Sequence, residues 1–393
     1  MLHSSAHPVP NKGMEPTAYS VRCAPASGSG SCPALGFFPS ETDLAFAIEA
    51  EKLDRDVVEL IEGDRHMDRR TFLRTFGVSL LAASLAAEAQ QAGKGARIGY
   101  LSPGTATANA GLRQAFIDGL RNHGWIEGQN IAIEYRWEGT GTPTLDALAA
   151  ELARMPLDAI FAVNTPAALA TKRTGTTLPV VFAIVSEPVE IGLVESLARP
   201  GRNFTGLTTI NRELMSKRLE VLKETIPGLT RVGYLANPGY EVHEAQLTEM
   251  DAAARGLGLT LHLAEVRAPA EFEGAFARLA AAHVGAFIVQ QDHLFVGNRA
   301  LVIDAATQHR LPGMYVFSLY PRSGGFMSYG AKAEDLCRRA AHYVDRILKG
   351  TTPADLPVER PMQFKLVINL KTAQALGITI PPTLLFQADE VIQ

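Results

Sequence analysis

The sequence predicts an α/β protein of two Rossmann-like lobes, each on a parallel sheet, joined by a hinge. Three observations predict it. First, a phrase occurs twice: Arg97-Ile-Gly-Tyr-Leu-Ser-Pro-Gly104 and Arg231-Val-Gly-Tyr-Leu-Ala-Asn-Pro-Gly239. Each apolar run reads as a buried strand, and each Pro-Gly pair as the turn that stops it. Two such openings about one lobe apart imply halves of related design. Second, strand-like and helix-like segments alternate from Arg97 onward, the pattern of a parallel sheet covered on both faces. Third, the stretch 186–207 between the copies contains Arg199-Pro-Gly-Arg-Asn203, which is poor helix, and an extended run from Phe204 to Leu207. It reads as the hinge.

In the first lobe (97–205) strands are expected at 97–101, 131–136, 159–163 and 180–184. Helices at 110–123, 145–154 and 166–173 separate them. Asn164-Thr165-Pro166 is a helix start, with a capping side chain and proline in the first turn. The second lobe (206–322) opens with a helix at 213–225. Strands follow at 232–235, 260–264, 286–290 and 314–317, separated by helices at 241–256, 269–283 and 295–309. After Gly324-Gly325 a strand at 326–329 is expected to return toward the first lobe, which residues 326–393 would complete. A helix at 333–348, a proline-rich extended segment 353–363, a strand at 364–370 and a short helix at 372–376 close the chain.

A chain of 393 residues with 47% hydrophobic content can bury two cores. Its net charge of -4 gives no general case for nucleic-acid binding. Two of its three cysteines, Cys23 and Cys32, lie in the first forty residues, so Cys337 has no internal disulfide partner in the lobes. Residues 1–40 are rich in Pro, Ser, Gly and Ala without periodicity, and disorder is expected there. Residues 41–63 fit an amphipathic helix. Then Met67-Asp-Arg-Arg-Thr-Phe-Leu-Arg74, an apolar run 76–87 and Ala87-Glu-Ala89 form a basic, apolar and small-x-small series. That is a bacterial export signal (67–89), and its twin arginines favour the folded-protein (Tat) route. Cleavage near Ala89 would release the chain into the periplasm. Residues 1–66 are then either a mis-called extension or an accessory segment.

Several segments carry a family resemblance. They are the Arg-Arg-x-Phe-Leu signal, Gly119-Leu-Arg-x-x-Gly-Trp-x-Glu-Gly-Gln-Asn-Ile131, Gly192-Leu-Val-x-Ser-Leu-Ala-Arg-Pro-Gly201 and Asn203-Phe-Thr-Gly206. Further on stand Ser328-Tyr-Gly330, Tyr343-Val-Asp-Arg-Ile-Leu-Lys-Gly350, Asp355-Leu-Pro-Val-Glu359, Phe364-x-Leu-Val-Ile-Asn-Leu-Lys371 and Ala388-Asp-Glu-Val-Ile392. Together they resemble the substrate-binding proteins of ABC importers, of the tryptophan- and tyrosine-binding type, from residue 67 to the C-terminus. The resemblance implies a type I periplasmic-binding fold that closes on a small ligand and delivers it to a membrane permease. No metal or cofactor is implied, and a monomer that binds no nucleic acid is expected. The chain departs from the family pattern at Glu187-Pro188, where Asp-Pro is usual, and at Arg202, where glycine is usual.

Ligands of open α/β sheets sit outside the carboxyl ends of the strands, so the residues just after each strand are the binding candidates. In the first lobe these are Ser102 and Pro103, with Thr105 as binder or turn residue. Asn164 and Thr165 follow, at a helix N-terminus that can hold a carboxylate or merely be capped. Ser186 and Glu187 end the fourth strand, Glu187 being either partner to a ligand ammonium or a solvated turn charge. In the second lobe they are Asn237, Gln291, Asp292, Phe317 and Ser318. Asp292 is a second partner for a cation, and Phe317 is either a stacking platform or core. Tyr329 either returns a hydroxyl to the cleft or packs at the hinge.

No Gly-x-Ser-x-Gly elbow, phosphate loop or His-Glu-x-x-His is present, and catalysis is not expected. Gly139-Thr-Gly141 lacks a strand-to-helix context. His243, His262, His283, His293 and His309 show no metal spacing, and His293 beside Asp292 reads as a surface or capping residue. A two-lobed, ligand-sensing regulator is the alternative. The acidic segment 41–63 and the absence of a basic recognition helix before Met67 argue against DNA.

Overall fold

The computed structural model describes residues 95–139 and 143–393. The expected disordered segment, the 41–63 helix and the export signal lie outside the described residues. Two sheets are present, each with helices on both faces.

The first sheet has the order β2-β1-β3-β4-β5 and is parallel throughout. Its strands are β1 (Ala96–Pro103), β2 (Ile131–Glu138), β3 (Ala159–Val163), β4 (Val180–Val185) and β5 (Phe204–Thr208). Successive side chains of a strand point to opposite faces, and the two cores divide accordingly. Ile98, Tyr100, Phe161, Val163 and Val181 meet α1 (Ala110–Asn122) and α10 (Ala333–Leu348) on one face. Leu101, Ile160, Ala162, Val180 and Phe182 meet α2 (Leu145–Arg154) and α3 (Thr165–Arg173) on the other. Helix α10 lies against α1 so closely that a Cβ at Gly119 would come 2.5 Å from the carbonyl oxygen of Arg338, so only glycine permits the contact.

The second sheet has the order β12-β11-β10-β9-β8-β6-β7. It comprises β6 (Arg231–Ala236), β7 (Thr260–Glu265), β8 (Ala286–Val289), β9 (Gly313–Tyr315), β10 (Met327–Ala331), β11 (Phe364–Asn369) and β12 (Glu390–Ile392). All neighbours are parallel except β10 and β11, so the sheet is mixed rather than parallel as expected. One face packs on α4 (Met215–Thr225) and α5 (His243–Gly256) through Leu219, Leu222, Met250 and Ala254. The other packs on α6 (Phe272–Ala281) and α8 (Arg299–Gln308) through Phe276, Leu279, Val302 and Ala306. Between β8 and α8 lies α7 (His293–Gly297), and α9 (Leu319–Arg322) follows β9. The expected helix 295–309 is therefore two pieces, broken at Asn298, whose side chain donates to the Leu294 carbonyl at 2.8 Å. The repeated phrase has the same meaning in both lobes, because β1 and β6 occupy equivalent places in 2-1-3-4-5 and 7-6-8-9-10.

Two expectations are corrected. The stretch 186–207 is not the hinge. Phe204–Thr208 pairs along β4, and residues 186–203 form a first-lobe loop fastened by Asn203, which donates to the carbonyls of Thr176 and Leu178. An apolar extended run next to an open sheet edge satisfies its backbone there instead of spanning a gap. The chain first crosses at 209–214, through the 3₁₀ turn Arg212–Leu214. The tail, moreover, divides between the lobes. Strand β10 pairs with β9 and β11 and so stays in the second sheet, the chain recrosses at Lys332, and α10 joins the first lobe. Residues 351–363 run back along β5, where the Glu359 amide and carbonyl bond to Gly206 and Thr208, before β11 returns to the second sheet. The last helices, α11 (Leu370–Leu376) and α12 (Pro382–Gln387), cover its edge. Among the described residues no helix is long and apolar enough to cross a membrane.

Candidate ligand-binding cleft

A cavity of about 180 Å³ lies where the strand ends of the two sheets approach. That is small against the roughly 300–1,000 Å³ of pockets that take drug-sized molecules. Pro103, Gly104, Asn164, Thr165 and Ile184 line it from the first lobe, and Tyr240, Gln291–His293 and Phe317–Leu319 from the second. The recrossing adds Ala331, Ala333 and Glu334.

Thr165 joins the two walls. Its Oγ1 accepts the Ser186 amide at 3.1 Å and the phenol of Tyr240, from the other lobe, at 3.1 Å. Burial pushes the Tyr240 phenol well above its usual pKa, against the hydrogen bonds with Thr165 and Ser186, so it stays protonated and donates. Ser186 Oγ shares a further hydrogen bond with Thr209 Oγ1 at 3.3 Å, tying β4 to the first crossing. On this wall the backbone is strained. Asn164 has φ 74° and ψ 159°, and Ile184, at the irregularity in β4, has φ 60°. Both are conformations that L side chains avoid, β-branched ones most of all. The Asn164 side chain makes no capping bond to α3.

The second-lobe wall is bonded to itself. Asp292 is buried, and its carboxylate accepts Asn237 Nδ2 at 2.6 Å, the Leu294 amide at 2.8 Å and His293 Nδ1 at 2.9 Å. Gln290 Oε1 accepts the Asn237 amide, and its Nε2 donates to Gln246. Burial disfavours the charged His293 imidazole, but the bond and charge of Asp292, with the charges of Glu138 and Glu241, outweigh it and raise its pKa. Gln291 is left over at the cavity, its buried Oε1 without a partner. Arg299 and Glu334, both half-buried, also line the cavity, and their side chains make no hydrogen bond or ion pair among the described residues.

Of the residues singled out from the sequence, Pro103, Asn164, Thr165, Gln291, Asp292, Phe317 and Ser318 come together at the cavity. Phe317 is buried and packs into the first-lobe core as well, so it is part wall and part core. The others do not line it. Ser102 is buried and bonds the neighbouring carbonyl, and Thr105 accepts the Ala108 amide in an exposed turn. Ser186 and Asn237 stand behind the walls. Glu187 lies at the crossing, at φ 49°, and accepts the Arg212 amide at 3.2 Å. Burial raises its pKa, opposed by the Arg212 bond and charge. The Tyr329 ring, packed against the second-lobe core, lies 6.3 Å from Phe364, which packs against the first-lobe core, while the Tyr329 carbonyl accepts the buried Arg218 guanidinium. Sequence reasoning missed Tyr240, Arg299 and Glu334. Tyr240 lies three residues beyond Asn237 in the same strand exit, and Glu334 follows β10, whose true end is Ala331 rather than Tyr329.

Two mostly parallel α/β lobes with one small cleft at their facing strand ends define a two-lobed, type I periplasmic-binding fold. The chain belongs to the ABC transporter substrate binding protein family, whose model matches residues 105–392. That is a family of binding proteins rather than enzymes. A tyrosine-binding protein of Clostridioides difficile is 26% identical over 266 residues, 68% of this chain and 76% of that protein. Among solved structures, an ABC domain from Streptococcus pneumonia in complex with L-Trp is 27% identical at a TM-score of 0.71 and covers 76% of this chain and 100% of its own. A conserved domain protein from Vibrio cholerae is 29% identical at 0.69, with the same two coverages.

Proposed function

We propose that the chain is the exported solute-binding component of an ABC importer, whose lobes close on one aromatic amino acid or related acid and present it to a membrane permease. The observation that carries this reading is the make-up of the cleft: an arginine and a glutamate whose side chains have no hydrogen-bond or ion-pair partner among the described residues, and a glutamine with a partnerless buried amide oxygen, all lining one small cavity. An α-amino acid carries a carboxylate and an ammonium on one carbon. The carboxylate pairs with Arg299 and with the N-terminus of α3 at Asn164 and Thr165. The ammonium, a donor only, pairs with Glu334 and Gln291 Oε1. Leu112, Val296, Leu319 and Phe317 supply an apolar wall for the side chain. The L-Trp complex and the tyrosine-binding relative support an aromatic side chain. A ligand touching both walls stabilises the closed form, with the Tyr240–Thr165 bond as the protein's own closing contact. Asp292, Asn237 and Gln290 hold the second wall in shape instead of meeting the ligand, and Glu187 braces the crossing. The signal at 67–89 supports export to the periplasm.

The test is a thermal-shift panel on the purified protein. It contains L-tryptophan, L-tyrosine, L-phenylalanine, the matching acids without the amino group, and simple sugars. Ligand at a hundred times its dissociation constant adds about 2.7 kcal/mol. The amino acids should stabilise saturably, the deaminated acids less, and the sugars not at all. Equal stabilisation by the deaminated acids would remove the ammonium site, and no stabilisation by any amino acid would overturn the reading.

A further inference from the structure

Outside the cleft, the fold brings a third metal-ligating side chain to a pair already spaced one turn apart on a helix. His123 caps the C-terminus of α1, and His342 and Asp345 stand one turn apart on α10. Their ligand atoms all lie within 4.8 Å of one another. The close approach of α1 and α10 at Gly119 brings the two imidazoles to 5.2 Å between centroids. The Asp345 side chain is only 5% exposed, and its two oxygens have different surroundings. Oδ1 accepts Trp125 Nε1 at 2.9 Å and Lys349 Nζ at 2.7 Å. Oδ2 has only His123 Nδ1 at 3.8 Å, too far for a hydrogen bond. Neither imidazole makes a hydrogen bond among the described residues.

We propose that His123, His342 and Asp345 bind a divalent first-row transition metal ion, with Zn²⁺ the best match. Two imidazoles and one carboxylate are a borderline donor set suited to Zn²⁺, and three protein ligands leave a fourth position for water. Bonds of about 2.0–2.2 Å place tetrahedral ligands roughly 3.3–3.5 Å apart. The three groups must therefore draw in by about an ångström, which the unbonded, half-buried imidazoles do by side-chain rotation. The Trp125 N–H fixes the carboxylate from behind, as outer-shell donors do. The carbonyl end of α1 favours a cation at His123. Lys349, Arg339 and Arg346 oppose it by charge. Lys349 is 60% exposed and sits on Oδ1, so it weakens binding without occupying the metal's oxygen. The site lies roughly 12 Å further along α10 than Glu334, at 1.5 Å per residue, and is separate from the cleft. A bound ion would clip the turn after α1 to the helix that re-enters the first lobe.

The experiment titrates the full chain, stripped with chelator and free of any histidine tag, with ZnCl₂ by calorimetry and by thermal unfolding. The first 94 residues carry His3, His7, Cys23, Cys32 and His66, so the reading is the difference between wild type and variants. His123→Ala and His342→Ala should each lose one equivalent of Zn²⁺ or bind it at least tenfold more weakly. Both should lose the Zn²⁺-dependent rise in Tm, with metal-free Tm unchanged. Lys349→Ala should bind severalfold more tightly. Should His123→Ala destabilise the metal-free fold, His342→Ala decides alone. Variants that bind as wild type does, or a wild type that takes up no Zn²⁺, would overturn the proposal.

Discussion

The carboxyl ends of the two sheets are built alike and finished differently. Strands β1 and β6 hold equivalent places, open with the same phrase and end in a Pro-Gly turn. In the second lobe the exits are closed on themselves, with Asn237, Gln290 and Asp292 bonded to one another and Asp292 capping α7. In the first lobe the exits carry backbone strain at Asn164 and Ile184, and an Asn164 side chain with no capping role. Strain of this kind costs on the order of 1–3 kcal/mol per residue and persists where the surroundings enforce it, often at binding sites. The second wall is thus held mainly by its own bonds, with Gln291 and Arg299 left over, while the first keeps its strain and an uncommitted Asn164 side chain for whatever enters the cleft.

The comparison breaks first at Asp292. Asp292→Ala leaves the half-buried Leu294 amide and the Asn237 side chain without an acceptor and removes a helix cap. It should cost about 2–4 kcal/mol in urea unfolding. A cost below about 1 kcal/mol would mean the second wall is not held by its own bonds. Asn164→Gly sharpens the other side. Glycine accepts the positive φ, so the variant should gain about 1 kcal/mol of stability while losing ligand affinity. A variant less stable than wild type would show that Asn164 is not strained.

The smallest effect is one of pH. The His293 pKa is raised in the fold, so its contribution is fully present below the ordinary imidazole value of about 6.5 and is lost as pH rises through the raised value. Its side chain is 40% exposed, which screens the effect. The stability difference between wild type and His293→Ala should therefore shrink as pH is raised above about 6.5. A difference that grows with pH would reverse the assignment.

Most of the fold was legible in the sequence, because periodicity is local. The strand 159–163 and the helices 145–154 and 333–348 stand where the pattern put them. What failed was nonlocal. Nothing in Phe204–Thr208 says that it will pair with β4 rather than span a gap, and nothing in Met327–Ala331 says which sheet it joins. The strand-end rule found the cleft but not the direction of each side chain. Asp292 turned inward to its cap, while Arg299 and Glu334, each in the first turn of a helix, reached the cavity. The His123–Asp345 pairing spans more than two hundred residues and depends on α10 crossing back between lobes.

The most direct test of the account is calorimetric titration of wild type and Glu334→Gln with L-tryptophan. The account predicts one saturable site in the wild type and at least a tenfold loss of affinity in the variant, about 1.4 kcal/mol, with urea stability unchanged. Equal affinity in the two proteins, or no binding by a folded wild type, would contradict it.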